Sequence, residues 1–66
     1  MQESLGQRIR RLRKEQGLNQ RQLAELIGIL PCQISNYELG DIKPSLTTLE
    51  WLCQFFGVTA SELLGF

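Results

Sequence analysis

The 66-residue chain has no histidine and only two cysteines and two prolines. Without histidine, the usual general base and a common nitrogen ligand for metals are both absent, and no carboxylates or thiols cluster at metal-ligand spacing to take their place. There is no glycine-rich phosphate loop, and no base stands beside either cysteine. These gaps point to a protein that is not an enzyme, with no cofactor, metal or small-molecule ligand. Cys32 and Cys53 do not make a disulfide framework. No apolar run approaches the roughly 18 residues of a membrane span. The opening MQESLGQRIRRLRK lacks a signal-peptide core. The expected location is therefore the cytoplasm, with no membrane partner.

Net charge is missing too, since seven basic side chains offset seven acidic ones. The two signs are nevertheless segregated. Residues 1–21 hold Arg8, Arg10, Arg11, Arg13, Lys14 and Arg21 against Glu3 and Glu15, whereas residues 22–66 hold only Lys43 against Glu25, Glu38, Asp41, Glu50 and Glu62. Such a dipolar domain can turn a basic face to phosphate while its far side stays acidic. A solvated helix surface is the plainer use of some of those arginines. The length suits one domain over 1–66 that buries roughly 60% of its unfolded surface, and dimerisation would add stability to so small a core.

The chain does contain helical patterning throughout. Five helices and no strands are expected. The first runs from about Ser4 to Gln16, with Leu5, Ile9 and Leu12 on its inner stripe, and Gly17 closes it. Residues Leu18 to Gly40 then read as two short helices joined by a tight turn. Asn19 caps the second helix, Gln22 answers it in a capping box, and Leu18 staples to Leu23. Leu23, Leu26 and Ile27 make the apolar stripe of that helix, and Gly28 ends it. Pro31 opens the third helix at the position that tolerates proline; Ile34 and Tyr37 face inward and Gly40 ends it. This is the geometry of a helix-turn-helix.

Ser45 caps a fourth helix at Leu46–Phe56, and Thr59 with Glu62 forms a capping box for a short fifth one. On a wheel of the fourth helix, Leu46, Leu49, Leu52, Cys53 and Phe56 define the core side, with Cys53 a small buried hydrophobe. Trp51 and Phe55 fall on nearly the opposite side. An apolar patch there marks a protein interface; the alternative is that Gly65 and Phe66 fold back over it.

On a wheel of the third helix, Cys32, Ser35, Asn36 and Leu39 face outward, with Pro31 and Gln33 on the flanks. An α-helix fits the major groove of B-DNA, where Asn36 can pair bidentately with adenine, Gln33 can do the same if its flank turns inward, and Ser35 can donate or accept. Cys32 and Pro31 offer apolar contact, for instance to a thymine methyl. Cys32 near a helix N-terminus is either a reactive thiol or an inert side chain.

The chain resembles the Cro/cI (Xre-type) family of phage and bacterial repressors. Arg13, Leu18, Asn19, Gln20, Leu23, Ala24, Gly28, Ile34, Ser35, Tyr37, Glu38, Gly40, Pro44, Leu49, Leu52 and Gly57-Val58 carry the resemblance, which extends from about Leu5 to Leu64. It implies a compact all-α, five-helix, lambda-repressor-like DNA-binding domain. It also implies base contacts at Pro31, Cys32 and Asn36, with Gln33 and Ser35 as neighbours, and a phosphate contact at Gln20. Lys43, Arg11 and Arg10 are further phosphate candidates. The resemblance pairs Arg13 with Glu38 as a partly buried bridge, making Arg13 a strut rather than a DNA contact. It places the dimer contact around the fifth helix, here Leu64 and Phe66, with Trp51 and Phe55 nearby.

Two features depart from the family pattern. Pro31 removes a side-chain donor and a backbone amide, and Leu30 replaces the usual Ser/Thr cap. Trp51 and Phe55 stand where polar or small residues are usual. The expected function is a sequence-specific regulator, of repressor, controller or antitoxin type, that binds a palindromic operator in double-stranded DNA as a homodimer. The alternative is a protein-interaction module on the same scaffold that uses the Trp51/Phe55 patch.

Overall fold

The computed structural model describes residues 3–65. Among them are five helices and no strands: α1 (Leu5–Glu15), α2 (Gln20–Ile27), α3 (Pro31–Leu39), α4 (Leu46–Phe56) and α5 (Ala60–Leu64). Polar caps set where they begin. The Ser4 hydroxyl accepts from Gln7 N at 3.1 Å while Gln7 Oε1 accepts from Ser4 N at 2.8 Å, closing a capping box at the head of α1. Ser4 and Gln16 are thus the caps of α1 rather than members of it. Asn19 and Gln22 make the same reciprocal pair at α2, at 2.7 and 2.8 Å. At α5 only half of the expected box forms: Thr59 Oγ1 accepts from Glu62 N at 3.1 Å, and the Glu62 side chain does not return to the cap.

The core is one cluster of Ile9 from α1, Leu23 and Ala24 from α2, Ile34 and Tyr37 from α3, Leu52 and Phe56 from α4 and Leu63 from α5. Leu5, Leu12, Leu18, Ile27, Leu49, Cys53 and Phe55 pack at its margin. Two residues expected inside lie outside. Leu26 is 59% exposed and Leu46 73% exposed. In α2, the small side chain of Ala24 lies on the buried arc instead, which lets α3 approach closely and rotates Leu26 outward. In α4, Leu46 is the first helical residue, and Thr48 takes the buried place. The Thr48 hydroxyl is not left unpaired, because it lies 3.1 Å from Ser45 Oγ.

That rotation also corrects the reading of the aromatic pair. The core face of α4 runs through Thr48, Leu52 and Phe56, so Trp51 and Phe55 lie on its flank rather than opposite it. Phe55 is half-buried and meets Phe56 edge-on, with ring centroids 5.4 Å apart. Trp51 stays exposed beside Leu26.

Candidate nucleic-acid interface

The turn between α2 and α3 depends on Gly28, whose φ of +80° is open to glycine without strain. Its amide and that of Ile29 both bond to Ala24 O at 2.9 Å, which closes α2 and redirects the chain within three residues. Leu30 then adopts the extended cap conformation, and Pro31 starts α3. Leu30 has no side-chain acceptor, so the head of α3 is tied differently. Gln33 Oε1 accepts from Leu30 N at 2.8 Å, and Gln33 N bonds to Leu30 O at 3.0 Å.

With Ile34 and Tyr37 buried, α3 presents its other face outward. Pro31, Cys32 and Leu39 are exposed and Ser35 and Asn36 half-exposed, so no segment of the described chain covers this surface. Gln33 is half-buried, with its carbonyl oxygen already engaged at the cap. That leaves only its amide hydrogens for another partner.

Behind this face, one polar cluster joins three helices. Arg13 Nε and Nη2 donate to Glu38 Oε2 at 2.6 Å and Oε1 at 3.0 Å, a bidentate pair between α1 and α3. Arg13 Nη1 donates to Leu18 O at 2.8 Å, and Gln20 Nε2 donates to Glu38 Oε1 at 3.2 Å. Arg13 is 7% exposed. The Glu38 carboxylate, acting mainly through these hydrogen bonds, holds the guanidinium above its ordinary pKa despite burial. Gln20 therefore commits one of its two side-chain amide hydrogens to the cluster. Its backbone amide and that of Arg21, first in α2, have no carbonyl one turn back to bond.

The other cations divide into two groups. Arg8 is clamped internally, donating to Leu63 O at 2.8 Å and Glu3 O at 2.9 Å. Arg11 lies between Glu3 and Glu15, at 2.9 and 3.1 Å, and both carboxylates raise its pKa. Arg10, Lys14, Arg21 and Lys43 are exposed and outside the ion pairs found among the described residues. Of the sequence-based phosphate candidates, Arg10 and Lys43 keep a free charge, and Arg11 has two carboxylate neighbours. Arg8 was missed as a tie because its partner lies 55 residues away, and no local pattern announces such a contact.

The two thiols differ in setting. Cys32 is exposed on α3; Cys53 is half-buried between α4 and α5. Burial, then the nearby charges of Glu50 and Glu62, push the Cys53 thiol up. Because the thiolate is the reactive form, iodoacetamide at pH 8 is expected to label Cys32 well before Cys53. Peptide mass spectrometry over a time course reads this directly, and equal rates would contradict the placement of Cys53.

Two apolar surfaces lie away from α3. Leu26, Ile27, Trp51, Gln54 and Phe55 line a shallow hollow between α2 and α4. Leu46, Leu49, Cys53, Ala60, Leu63 and Leu64 line a groove of about 230 Å³ between α4 and α5. Leu64 is half-exposed at its edge. Phe66, the remaining interface candidate, lies outside the described residues. Among the described residues no group of Cys, Asp and Glu is arranged to hold a metal ion, and no helix is long and apolar enough to cross a membrane.

Comparison with known proteins places this arrangement. The model of a helix-turn-helix domain family matches residues 6–65. The chain is 39% identical over 60 residues to the HTH-type transcriptional regulator PuuR of Escherichia coli (strain K12), a match covering 91% of this chain and 32% of that protein. It is 42% identical over 58 residues to the cryptic phage CTXphi transcriptional repressor RstR of Vibrio cholerae, covering 88% of this chain and 52% of that one. A crystal structure of a transcriptional regulator from Listeria innocua superposes with a TM-score of 0.88 at 32% identity, over 100% of this chain and 62% of the other. The chain thus spans about a third to a half of the length of these two curated relatives.

Proposed function

The chain belongs to the helix-turn-helix family of Cro/cI (Xre) type, and from that premise we propose that it acts as a transcriptional regulator that reads double-stranded DNA through α3. The family is one of DNA-binding regulators and not of enzymes. The observation that carries the reading is the open outer face of α3, with Asn36 near its middle. A helix of this width enters the major groove, where Asn36 can take adenine bidentately and Ser35 can contact either partner of a pair. The free amides at the head of α2, with Lys43 and Arg10, hold the backbone and set register. Repressor, controller and antitoxin roles all fit this arrangement.

In this proposal two copies place their α3 helices in successive major grooves, about 34 Å apart, on a palindromic operator. Leu64 and the flank formed by Leu26, Trp51 and Phe55 supply the contact between copies. The exposure of Trp51 beside Leu26 also favours a second reading, in which the same scaffold docks another protein through that flank. Selection of bound fragments from random-sequence DNA separates the two readings. A retained motif with a steep salt dependence, as counterion release demands, supports the regulator. Absence of any retained duplex at low salt sinks it.

Asn36→Ala is expected to lower affinity for the selected site by about 1–3 kcal/mol and to relax specificity at one base pair. Gln20→Ala should weaken all sequences more evenly, because it removes the Nε2 bond to Glu38 that supports α3. Mobility-shift titrations at fixed salt check both. Equal binding by Asn36→Ala and the parent removes Asn36 from base recognition.

A further inference from the structure

The leading end of α3 is apolar to an unusual degree for a surface turned to solvent. Leu30 is 62% exposed at the cap, and Pro31 and Cys32 follow it, both exposed. A single exposed leucine is ordinary; three successive apolar side chains at the head of an outward-facing helix are not.

The hydrogen-bonding capacity of this turn is also withdrawn. Leu30 offers no side-chain acceptor, Pro31 has neither an amide hydrogen nor a polar side chain, and Gln33 Oε1 is occupied by Leu30 N at 2.8 Å. What remains toward the outside is aliphatic surface, a thiol and the Gln33 amide hydrogens. When a recognition helix docks, its N-terminal residues are the ones that meet base edges. The apolar feature that a base pair shows in the major groove is the C5-methyl group of thymine.

We propose that the Leu30-Pro31-Cys32 end of α3 reads the C5-methyl groups of thymines, while Asn36, one turn further on, reads a base by hydrogen bonding. This rests on the DNA-reading role proposed above and adds to it the chemical feature being read. Discrimination at the base pairs under the head of α3 comes from methyl contact, and replacing thymine by uracil there leaves every hydrogen-bonding edge intact while deleting the recognised group.

The test uses the DNA site retained from random-sequence selection, remade with deoxyuridine for thymine at single positions and at all of them. Binding of the full chain is measured by fluorescence anisotropy at one salt concentration. The expected result is a loss of about fourfold at each contacted thymine, the worth of one buried methyl group, and a larger loss when all are replaced.

Leu30→Ser is the companion variant, chosen because serine restores a capping hydroxyl and so keeps the helix folded. It is expected to melt no lower than the parent yet to lose the preference for thymine over uracil at its position. Full affinity for the all-uracil site overturns the proposal while leaving DNA reading intact. Unchanged thymine preference in both Leu30→Ser and Cys32→Ser overturns the assignment to these residues. Failure to retain any duplex overturns both this proposal and the regulator reading.

Discussion

Glu38→Ala is expected to lower the stability of the chain by about 3–5 kcal/mol. Deleting this carboxylate strands the Arg13 guanidinium, which is 7% exposed and makes two of its hydrogen bonds to Glu38. Breaking one side of a buried pair costs about 3–5 kcal/mol, because the surviving charge keeps its desolvation penalty and loses its partner. A domain of this length has a total stability of roughly 3–10 kcal/mol. The loss therefore takes at least about a third of that margin and, at its lower end, all of it, and Gln20 loses its acceptor as well.

The pair itself is a weaker source of stability than its removal suggests. Replacing both partners by apolar side chains of similar volume, Arg13→Met with Glu38→Leu, is expected to recover most of what the single change loses. Urea unfolding followed by circular dichroism at 222 nm compares the three proteins. A Glu38→Ala midpoint within error of the parent would show that the bridge contributes nothing, and a double variant no better than the single one would contradict the apolar rescue.

Gly6→Val is expected to destabilise by about 3 kcal/mol or more, the upper range for overpacking. Gly6 lies inside α1, where glycine costs helix stability of about 1 kcal/mol relative to alanine. It is tolerated because α1 crosses α3 there at backbone distance. A Cβ built on Gly6 would stand 2.5 Å from the carbonyl oxygen of Glu38 and closer still to that of Tyr37. Neither oxygen can rotate away, so the helices must separate. Even Gly6→Ala, which improves helix propensity, is expected to lower stability by about 1–3 kcal/mol. A thermal melt decides the sign: an alanine variant more stable than the parent would mean that the crossing has slack.

The legible parts of this molecule are those governed by neighbours in sequence. Caps and stops at Asn19, Gln22, Gly28, Pro31, Gly40 and Ser45 place the helices nearly to the residue, since each acts within one turn. The same capping logic accounts for Gln33, whose position in the first turn of α3 commits its oxygen to the cap. Burial at the edges of stripes was less legible. Leu26 and Leu46 are apolar and Thr48 is not, yet helix rotation put the threonine inside and both leucines out. In α2 the buried arc passes through Ala24 rather than Leu26, and in α4 Leu46 stands at the first helical position while Thr48 meets the core; periodicity reports neither. Arg8 was illegible for another reason: its carbonyl acceptor on Leu63 belongs to the opposite end of the chain. The residues proposed to touch DNA were legible partly through family resemblance, and the structure leaves their surface open.

The partition of α3 has a consequence for how such a protein can be retargeted. Ile34 and Tyr37, both buried, and Glu38, through Arg13, tie this helix to its scaffold, while the side chains of Leu30, Pro31 and Cys32 stand exposed. On the proposed reading of DNA through α3, new sequence preferences can be installed by exchanging these outward side chains. Leu30 and Pro31, one of the two departures from the family pattern, are the natural first positions for such recoding, because neither side chain belongs to the core.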